Sequence, residues 1–326
     1  MSAHNSILKF QKTLSNMNGK ILVVGSSNTD MIIKISSLPK PGETVIGGSF
    51  FMAAGGKGAN QAIAAKKSGA DVTFMTRVGD DDFGKRAVDD YRNEGLNVDY
   101  IIKDEQAASG IAFIMVDNKG ENSIAVASGA NTNLLPADIE KISGVLNQVE
   151  IILLQLEIPL ETVYAVVKKA FDAGKTVILN PAPAQKLGDD LLRMITIITP
   201  NENEAEILTG IKIHDEHSAK KAADLLLSKG IETVLLTMGS RGLLFHDKSR
   251  SEIIHAYKVN AVDTTAAGDV FNGALAAALV ENKEIFSAIR FASAAAGISV
   301  TRIGAQTSIP DRQEIEEFMR TTSMVA

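Results

Sequence analysis

The hydrophobic residues fall into short apolar runs that alternate with longer stretches of helical spacing. The apolar runs are typical of strands buried on both faces of a parallel sheet, and they span residues 21–25, 72–76, 151–156, 176–180, 195–199 and 233–237. Amphipathic stretches between them predict helices at residues 59–68, 83–94, 160–173, 202–208 and 218–229. A strand that alternates with a helix at this spacing predicts βαβ units and a parallel sheet.

Two stretches interrupt this alternation, at residues 31–51 and 100–126. Both contain short strand-like patterns separated by turn residues, with Pro39, Pro41 and Gly42 in the first and Gly110 in the second. We expect these stretches to leave the main sheet and to pair into a small β-layer, which could act as a lid over a cleft. Ordinary surface hairpins are the alternative that the pattern leaves open.

The two ends of the chain differ from the middle. Alanine-rich helices are predicted at residues 267–280 and 284–298, and a last helix near Pro310, a residue tolerated in a first helical turn. Residues 1–18 are polar and mixed, without the apolar stretch of a secretory signal, and we expect a flexible extension there. The chain is therefore predicted to form one domain at residues 19–322, with 31–51 and 100–126 as its lid.

Composition narrows the class of protein. Of the 326 residues, 45% are hydrophobic and 22% charged, which excludes disorder across most of the chain. The net charge of −6 argues against a nonspecific nucleic-acid binder. The chain has no cysteine, which excludes disulfides, thiolate catalysis and cysteine-ligated zinc. No apolar run approaches the ~20 residues of a transmembrane helix. The absence of cysteine is compatible with an intracellular location but does not prove it. We expect a cytoplasmic protein without nucleic-acid or membrane partners.

The segment 263–269 (Asp-Thr-Thr-Ala-Ala-Gly-Asp) is the strongest candidate for chemistry. Its small residues precede a long predicted helix, whose free N–H groups can face an anion such as a phosphate. Asp269 falls in the first turn of that helix. An acid that complements the helix dipole is the alternative for Asp269. That alternative explains Asp269 but does not explain the presence of Asp263 or of the small residues at 266–268.

A second candidate is the glycine-rich segment 55–61 (Gly-Gly-Lys-Gly-Ala-Asn-Gln). Glycines permit the close approach of a ligand to the backbone, and Lys57 and Asn60 add hydrogen-bond donors. The segment is not a Walker A motif, because the spacing and the Ser or Thr after the lysine are missing. A glycine-rich turn before a helix is the alternative.

Further polar groups follow the predicted strands. Asn28 and Asp30 suit sugar hydroxyls, with a polar turn as the alternative. Glu157 follows another strand, and the segment 201–204 (Asn-Glu-Asn-Glu) could hold a hydrated magnesium ion or simply begin a helix. The segment 237–242 forms a glycine-bearing turn between strands. Ligands in open α/β sheets bind at the carboxyl ends of the strands, and we expect these groups to converge there.

Together these segments resemble the ribokinase-like carbohydrate kinases, from about residue 20 to about residue 318. Both signatures of that family are present, at 55–60 and at 263–273, and their joint occurrence at this separation is highly specific. The segments 180–184 and 304–306 support the resemblance. It implies a three-layer α/β/α fold with a mostly parallel central sheet, and a small β-sheet lid through which two subunits pair as a homodimer.

The resemblance also implies roles for individual residues. Asp269 would be the general base on a sugar hydroxyl, and the anion hole would consist of Ala266, Ala267 and Gly268. The sugar would contact Asn28, Asp30, Gly56, Lys57, Gly58, Ala59, Asn60 and Glu157. ATP and Mg2+ would bind at Asn201, Glu204, Thr237, Met238, Gly239, Ser240, Arg241, Gly242, Gly268 and Ser293. An activating monovalent cation, K+, would lie near Asp263, Thr265, Ser299, Arg302, Gly304 and Ser308, in part through backbone carbonyls.

The expected activity is phosphorylation of D-ribose at its 5-hydroxyl by ATP. Other sugars such as 2-deoxyribose or fructose, and nucleosides such as adenosine or inosine, are alternatives; a non-catalytic sugar-binding regulator is another. Asn28 could bond a 2-hydroxyl, which favours ribose. Two positions depart from the family pattern: Ala266 stands where glycine is usual, and Val270 replaces the usual Thr or Ser.

Overall fold

The computed structural model describes residues 19–119 and 121–324; the predicted extension at 1–18 lies outside the described residues. The strands are β1 (Lys20–Val24), β2 (Asn28–Lys34), β3 (Ser49–Gly55), β4 (Asp71–Gly79), β5 (Ile101–Asp104), β6 (Gly110–Val116), β7 (Asn122–Ala127), β8 (Ile151–Leu154), β9 (Thr176–Leu179), β10 (Ile197–Ile198), β11 (Thr233–Thr237), β12 (Leu243–Asp247) and β13 (Ser251–Ile254).

The α-helices are α1 (Lys57–Lys67), α2 (Asp82–Asn93), α3 (Ser143–Leu146), α4 (Leu160–Asp172), α5 (Asp189–Leu192), α6 (Glu202–Thr209), α7 (Glu216–Ser228), α8 (Ala267–Val280), α9 (Ile285–Ser299) and α10 (Arg312–Thr321). The predicted bounds of α8 agree with the structure. The other predicted helices begin or end within a few residues of the observed ones, because turn signals fix a helix end only approximately.

The large sheet has the strand order β13-β12-β11-β10-β9-β8-β1-β4-β5. Its neighbours from β11 through β5 pair in parallel, and β12 and β13 add antiparallel pairs at one edge. Side chains of β1 alternate between two cores: Ile21 and Val23 join the core against α1, α8 and α9, whereas Leu22 and Val24 join the core against α4 and α7. Helices therefore cover both faces of the sheet, which confirms the predicted three-layer α/β/α fold.

A smaller sheet stands apart, with the order β3-β2-β6-β7. Asn28–Lys34 pairs antiparallel with Ser49–Gly55 and parallel with Gly110–Val116. The two irregular stretches of the sequence thus form a separate β-layer, as predicted. One element differs: Ile101–Asp104, inside the predicted lid segment 100–126, pairs instead with β4 at the edge of the large sheet. Its strand-like pattern predicts a strand but does not specify the sheet that it joins.

A further difference is β10, which comprises only Ile197–Ile198 within the predicted strand at 195–199. Among the described residues, none of the helices has both the length and the apolar character required to span a bilayer.

Candidate active site

The carboxyl ends of the parallel strands meet the amino end of α8 at one edge of the large sheet. Ser26 follows β1 there and Glu157 follows β8, and the Ser26 hydroxyl donates to Glu157 Oε2 at 2.5 Å across 131 residues of sequence. Asn180 follows β9, and Gln61 Nε2 of α1 donates to its Oδ1 at 3.1 Å. The polar groups predicted to converge at this edge do so.

Asp269 lies in the first turn of α8 with only 5% of its surface exposed. Its Oδ1 accepts a hydrogen bond from Gln61 Nε2 at 2.9 Å, and its Oδ2 accepts one from Asn60 Nδ2 at 3.0 Å. Burial raises the pKa of Asp269, while the charge of Lys57 and the two amide donors lower it. A carboxylate that is fixed by two amide donors and has a raised pKa is suited to act as a general base.

The loop before α1 packs directly against the residues that follow β1. Gly56 has a φ of 90°, and a Cβ there would lie 2.7 Å from the backbone nitrogen of Asn28. A Cβ at Gly58 would lie 2.5 Å from the carbonyl carbon of Gly25. Only glycine permits this approach of backbone to backbone. The loop thereby carries Lys57, the first residue of α1, into the site.

Lys57 lies among four carboxylates. Asp269 makes the largest contribution that raises the pKa of Lys57; burial opposes the rise, and Glu157, Glu204 and Asp30 add to it. The backbone N–H of Lys57 also donates to Glu157 Oε2 at 3.1 Å. Burial, and then the charges of Glu157 and Asp269, raise the pKa of Asp30 to about 7. With all five groups ionised the cluster is negative, so it attracts cations.

Asn28, the first residue of β2, is held by a buried hydrogen-bond network. Asn131 Nδ2 donates to Asn28 Oδ1 at 2.8 Å, and Asn131 Oδ1 accepts from the backbone N–H of Ser27 at 2.9 Å. The hydroxyls of Ser27 and Tyr91 share a hydrogen bond of 2.6 Å. A Cβ at Gly110, on the neighbouring strand, would lie 2.2 Å from Asn28 Oδ1. The amide nitrogen of Asn28 is left as the group that can donate to a ligand.

The amino end of α8 is open to a ligand. Its N-cap, Ala266, has a φ of 59°, a left-handed conformation that costs a residue with a Cβ roughly 1–2 kcal/mol. A Cβ at Gly268 would meet no heavy atom within 4 Å. The N–H groups of Gly268 and Asp269 have no hydrogen-bond acceptor in the part of the chain that the structure describes. Free N–H groups at a helix start form a binding site for phosphate.

The Asn201–Glu204 pair begins α6 as a reciprocal cap. Glu204 accepts hydrogen bonds from the backbone N–H and from Nδ2 of Asn201 at 2.8 and 2.9 Å, and its own N–H donates to Asn201 Oδ1 at 2.9 Å. Burial is the main cause that raises the pKa of Glu204. The charge of Asp269 adds to the rise, whereas the hydrogen bond from Asn201 and the charge of Lys57 oppose it. Carboxylate oxygens with free lone pairs are ligands that hydrated Mg2+ prefers. Glu204 thus has oxygen lone pairs that would suit a hydrated Mg2+, whereas the described residues contain no group of three or more His, Cys, Asp or Glu side chains that could hold a metal directly.

The turn predicted to bind ATP lies beside this cap. Thr237, at the end of β11, pairs with Asn201 in an isolated parallel bridge, and its N–H donates to Pro200 O at 2.9 Å. Residues 239–241 form a 3-10 turn between β11 and β12, and Arg241 pairs with Glu202 of α6. Ser293 lies on α9, and no hydrogen bond joins it to this group within the described residues. The structure therefore brings the predicted turn at 237–242 next to the Asn201–Glu204 cap, and the role of Ser293 stays a prediction.

Two segments predicted to hold a monovalent cation are joined by Asp263. Its Oδ1 accepts from the N–H of Thr265 at 2.9 Å, and its Oδ2 accepts from the N–H of Gly304 at 2.9 Å. Ser299 and Ser308 are fully buried, and each hydroxyl donates to a backbone carbonyl three residues earlier. Their oxygens keep lone pairs for a cation. The guanidinium of Arg302 pairs with Glu314 of α10, so a cation contact at this position would use the backbone carbonyl.

Sequence reasoning did not assign roles to several polar side chains that complete the site, namely Gln61, Tyr91, Asn131, Gln155, Asn180 and Asn272. Two carried a signal: Gln61 directly follows Asn60, and Asn272 lies three residues after Asp269 in the same helix. Asn272 Nδ2 donates to Gly268 O at 2.8 Å and so supports the open helix end. The other four are interior residues whose partners lie far away along the chain.

Known proteins resemble this chain over most of its length. The model of the pfkB family carbohydrate kinases matches residues 18–312. The chain belongs to this family. It is 48% identical over 303 residues to a ribokinase of Haemophilus influenzae, in a match that covers 93% of this chain and 99% of the relative. It is 38% identical over 300 residues to a deoxyribokinase of Salmonella typhi, covering 92% of this chain and 98% of that relative.

A solved structure agrees with the fold as well. The structure of Arabidopsis thaliana ribokinase complexed with ribose and ATP superposes with a TM-score of 0.86 at 33% sequence identity, covering 94% of this chain and 99% of that one. Membership of the family confirms the resemblance stated from the two glycine-bearing segments. The roles of single residues remain predictions.

Proposed function

We propose that the chain transfers the γ-phosphoryl group of ATP to the 5-hydroxyl of D-ribose, giving D-ribose 5-phosphate and ADP. The observation that carries the proposal is the position of Asp269. Its carboxylate accepts hydrogen bonds from Asn60 and Gln61 in the first turn of α8, where the backbone N–H groups are free. A proton acceptor and an anion site thus lie within the same first turn of α8, as transfer to an alcohol requires.

The proposed reaction combines bond exchange at the γ-phosphorus with transfer of the hydroxyl proton. The sugar hydroxyl oxygen forms a bond to the γ-phosphorus while the bond from that phosphorus to the bridging oxygen of ADP breaks. The hydroxyl proton passes to the carboxylate of Asp269. The N–H groups of Gly268 and Asp269, at the start of α8, donate to the phosphoryl oxygens and stabilise their charge.

Sugar recognition is proposed to involve residues of the lid, of α1 and of the segment after β8. Asp30 and Glu157 accept hydrogen bonds from sugar hydroxyls, and Asn28 and Lys57 donate to sugar oxygens. The Haemophilus influenzae relative is a ribokinase and the Salmonella typhi relative is a deoxyribokinase. Ribose is favoured over 2-deoxyribose because Asn131 orients the Asn28 amide, which leaves Nδ2 free to donate to a 2-hydroxyl oxygen.

ATP is proposed to bind along the turn at 237–242 and over the open end of α8, with its Mg2+ near Asn201 and Glu204. Bound Mg2+ would neutralise phosphate charge, which is the part of the chemistry that the protein groups do not supply. A monovalent cation, K+, is proposed between Asp263 and the segment 299–308. The bridge from Asp263 to Gly304 supports this, because a cation there would order the loop that leads into α8.

The lid is proposed to pair two copies of the chain. Several large apolar side chains of its strands are exposed, namely Phe50 at 59%, Phe113 at 55%, Ile124 at 55% and Val126 at 52%. The strand register places Phe50 and Phe113 on one face of the small sheet and Ile124 and Val126 on the other. Each face thus exposes large apolar groups, as an interaction surface does. Light scattering at micromolar concentration tests the pairing: a dimer is expected, and a monomer would contradict it while leaving the sugar site unaffected.

An ADP-production assay across ribose, 2-deoxyribose, fructose, adenosine and inosine tests the proposed function. Ribose is expected to give the highest kcat/KM, because the site offers several charged and amide groups to a polyhydroxylated ligand. A clear preference for 2-deoxyribose would identify the second candidate. A preference for a nucleoside would overturn the ribose assignment, and no ADP production with any of them would overturn the kinase activity.

A further inference from the structure

A chain of buried side-chain amides leads from the sheet to Asp269. Gln61 Nε2 donates to Asp269 Oδ1 at 2.9 Å and to Asn180 Oδ1 at 3.1 Å, and Gln61 Oε1 accepts from Gln155 Nε2 at 2.6 Å. Gln61 and Gln155 are fully buried, and Asn180 is 6% exposed. The two glutamines have no exposed surface and therefore cannot touch a sugar or ATP, whereas Asn60 keeps 5% of its surface exposed.

The backbone determines which way each amide faces. Asn180 Nδ2 donates to the carbonyl of Thr199 at 3.4 Å, and a carbonyl can only accept a hydrogen bond. The oxygen of Asn180 must then face Gln61, so Gln61 presents its nitrogen to Asn180 and to Asp269. Gln155 in turn must present its nitrogen to the oxygen of Gln61. The chain therefore fixes a donor, and never an acceptor, on Asp269 Oδ1.

The orientation of Gln155 leaves one of its polar atoms unpaired, which lowers the stability of the fold. Gln155 Oε1 is buried without a hydrogen-bond partner in the described part of the chain. A Cβ at Gly25 would lie 2.1 Å from that atom, so the neighbouring backbone is already in close contact with it. A buried acceptor without a partner lowers stability, and such groups are retained in native structures for a specific reason. Here the reason is the nitrogen of the same amide, which orients Gln61.

We infer that Gln61, oriented by Gln155 and Asn180, is a positioning residue that holds the carboxylate of Asp269 in its ionised form and leaves Oδ2 as the atom that receives the proton. The inference rests on the proposed function, in which Asp269 is the base. Oδ1 is bonded to the interior amide chain, whereas Oδ2 is bonded to Asn60, on the side of the residues proposed to bind sugar. A donor on Oδ1 stabilises the negative charge without occupying the side on which the hydroxyl arrives.

Other charged groups also act on Asp269, and the test must hold them constant. These are Lys57 from α1, Glu157 after β8, Asp30 from β2 and Glu204 from α6. Gln61→Met keeps the side chain near its original length, removes its hydrogen bonds and changes none of these charges. Gln155→Met removes only the group that orients Gln61. Gln148→Met, at an exposed site outside the network, is the matched control.

The experiment is a single-turnover rate with saturating sugar and ATP across the acid side of neutral pH, together with sugar affinity by calorimetry and the thermal midpoint. For Gln61→Met, we expect a rate on the acid limb that is about tenfold lower than wild type, as for the loss of one hydrogen bond to a charged group. The acid limb should move up by about one pH unit, because the carboxylate loses a donor to its ionised form. Sugar affinity should stay within about threefold.

For Gln155→Met we expect a smaller shift in the same direction, and this variant carries the test if Gln61→Met does not fold. A rate lowered equally at every pH, with an unmoved acid limb, would overturn the inference and leave Gln61 a structural residue. Lost sugar affinity with a normal rate at saturation would overturn it as well. The wild-type rate on ribose is a separate readout: if it is absent, the proposed substrate fails, and the limb shift is measured on whichever sugar is phosphorylated.

Discussion

Asn131 donates from its side-chain nitrogen to Asn28 Oδ1 at 2.8 Å, across 103 residues of sequence. The same nitrogen also lies within hydrogen-bond distance of the carbonyls of Ser27 and Ser128, at 3.1 and 2.9 Å. Every group around it is an acceptor, so the orientation of the Asn131 amide is fixed. The orientation of Asn28, and hence the donor that it offers to the sugar, follows from it.

Asn131→Asp is therefore expected to weaken sugar binding more than turnover. The substitution keeps the shape but turns a donor into an acceptor that faces three other acceptors. We expect the KM for ribose to rise about tenfold, equivalent to ~1.4 kcal/mol, with kcat within about twofold of wild type. Asn122→Asp, the same change at an exposed lid position, is the control and should alter neither parameter. An unchanged KM in Asn131→Asp would show that Asn28 does not need its partner.

The open helix end predicts different outcomes for two glycines. A Cβ at Gly268 or at Gly144 would meet no heavy atom within 4 Å, and both residues lie in α-helices. Replacement by alanine should therefore preserve stability or raise it by about 0.4–1 kcal/mol at either site. Only Gly268→Ala should slow phosphoryl transfer, by about 10²-fold, because its methyl group displaces the phosphate. Equal kcat values for the two variants would contradict the anion-site assignment.

Asp30 should make stability depend on pH. Its folded-state pKa of about 7 lies above the ordinary value of 3.8, so the folded chain binds more protons than the unfolded chain between those values. This contribution to stability is complete below pH 3.8 and is lost as the pH rises to about 7. Asp30→Asn should therefore reduce the fall in thermal midpoint over this range, as calorimetry at a series of pH values can measure. An identical slope in both proteins would show that Asp30 ionises normally.

Potassium should raise activity well above a sodium-only baseline. Asp263 joins the loop before α8 to Gly304, so a cation held between these segments orders the anion site without touching substrate. The measurement is the initial rate of ADP production in potassium, in sodium and in a bulky organic cation at constant ionic strength. Equal rates in all three would reject the role of the cation.

The sequence was sufficient to predict the fold and the edge of the sheet that carries the site. The sequence pattern at that edge was clear. Small residues precede the apolar helix α8, and the glycine segment at 55–58 indicates a close approach of backbone to backbone. The sheet that β5 joins could not be predicted, because a strand pattern of four residues is compatible with either sheet.

The supporting residues of the site were harder to foresee. Gln155 lies at a strand end, and Tyr91 occupies an apolar position of α2, so both have ordinary core positions in the pattern. Their roles come from partners 94 and 64 residues away, Gln61 and Ser27 respectively. A single sequence contains no record of such pairings.

The most direct test of the account compares two acids that both lie in the first turn of a helix. Asp269 is the third residue of α8 and is buried, whereas Asp82 is the first residue of α2 and is exposed. The measurement is the single-turnover rate of ribose phosphorylation by Asp269→Asn and by Asp82→Asn, with ribose and ATP affinities determined in parallel. Loss of a general base should slow Asp269→Asn by about 10²–10⁴-fold while both ligands still bind, and Asp82→Asn should match wild type. A rate for Asp269→Asn within a few-fold of wild type would contradict the account, because Asp269 would then act only as a helix-start acid.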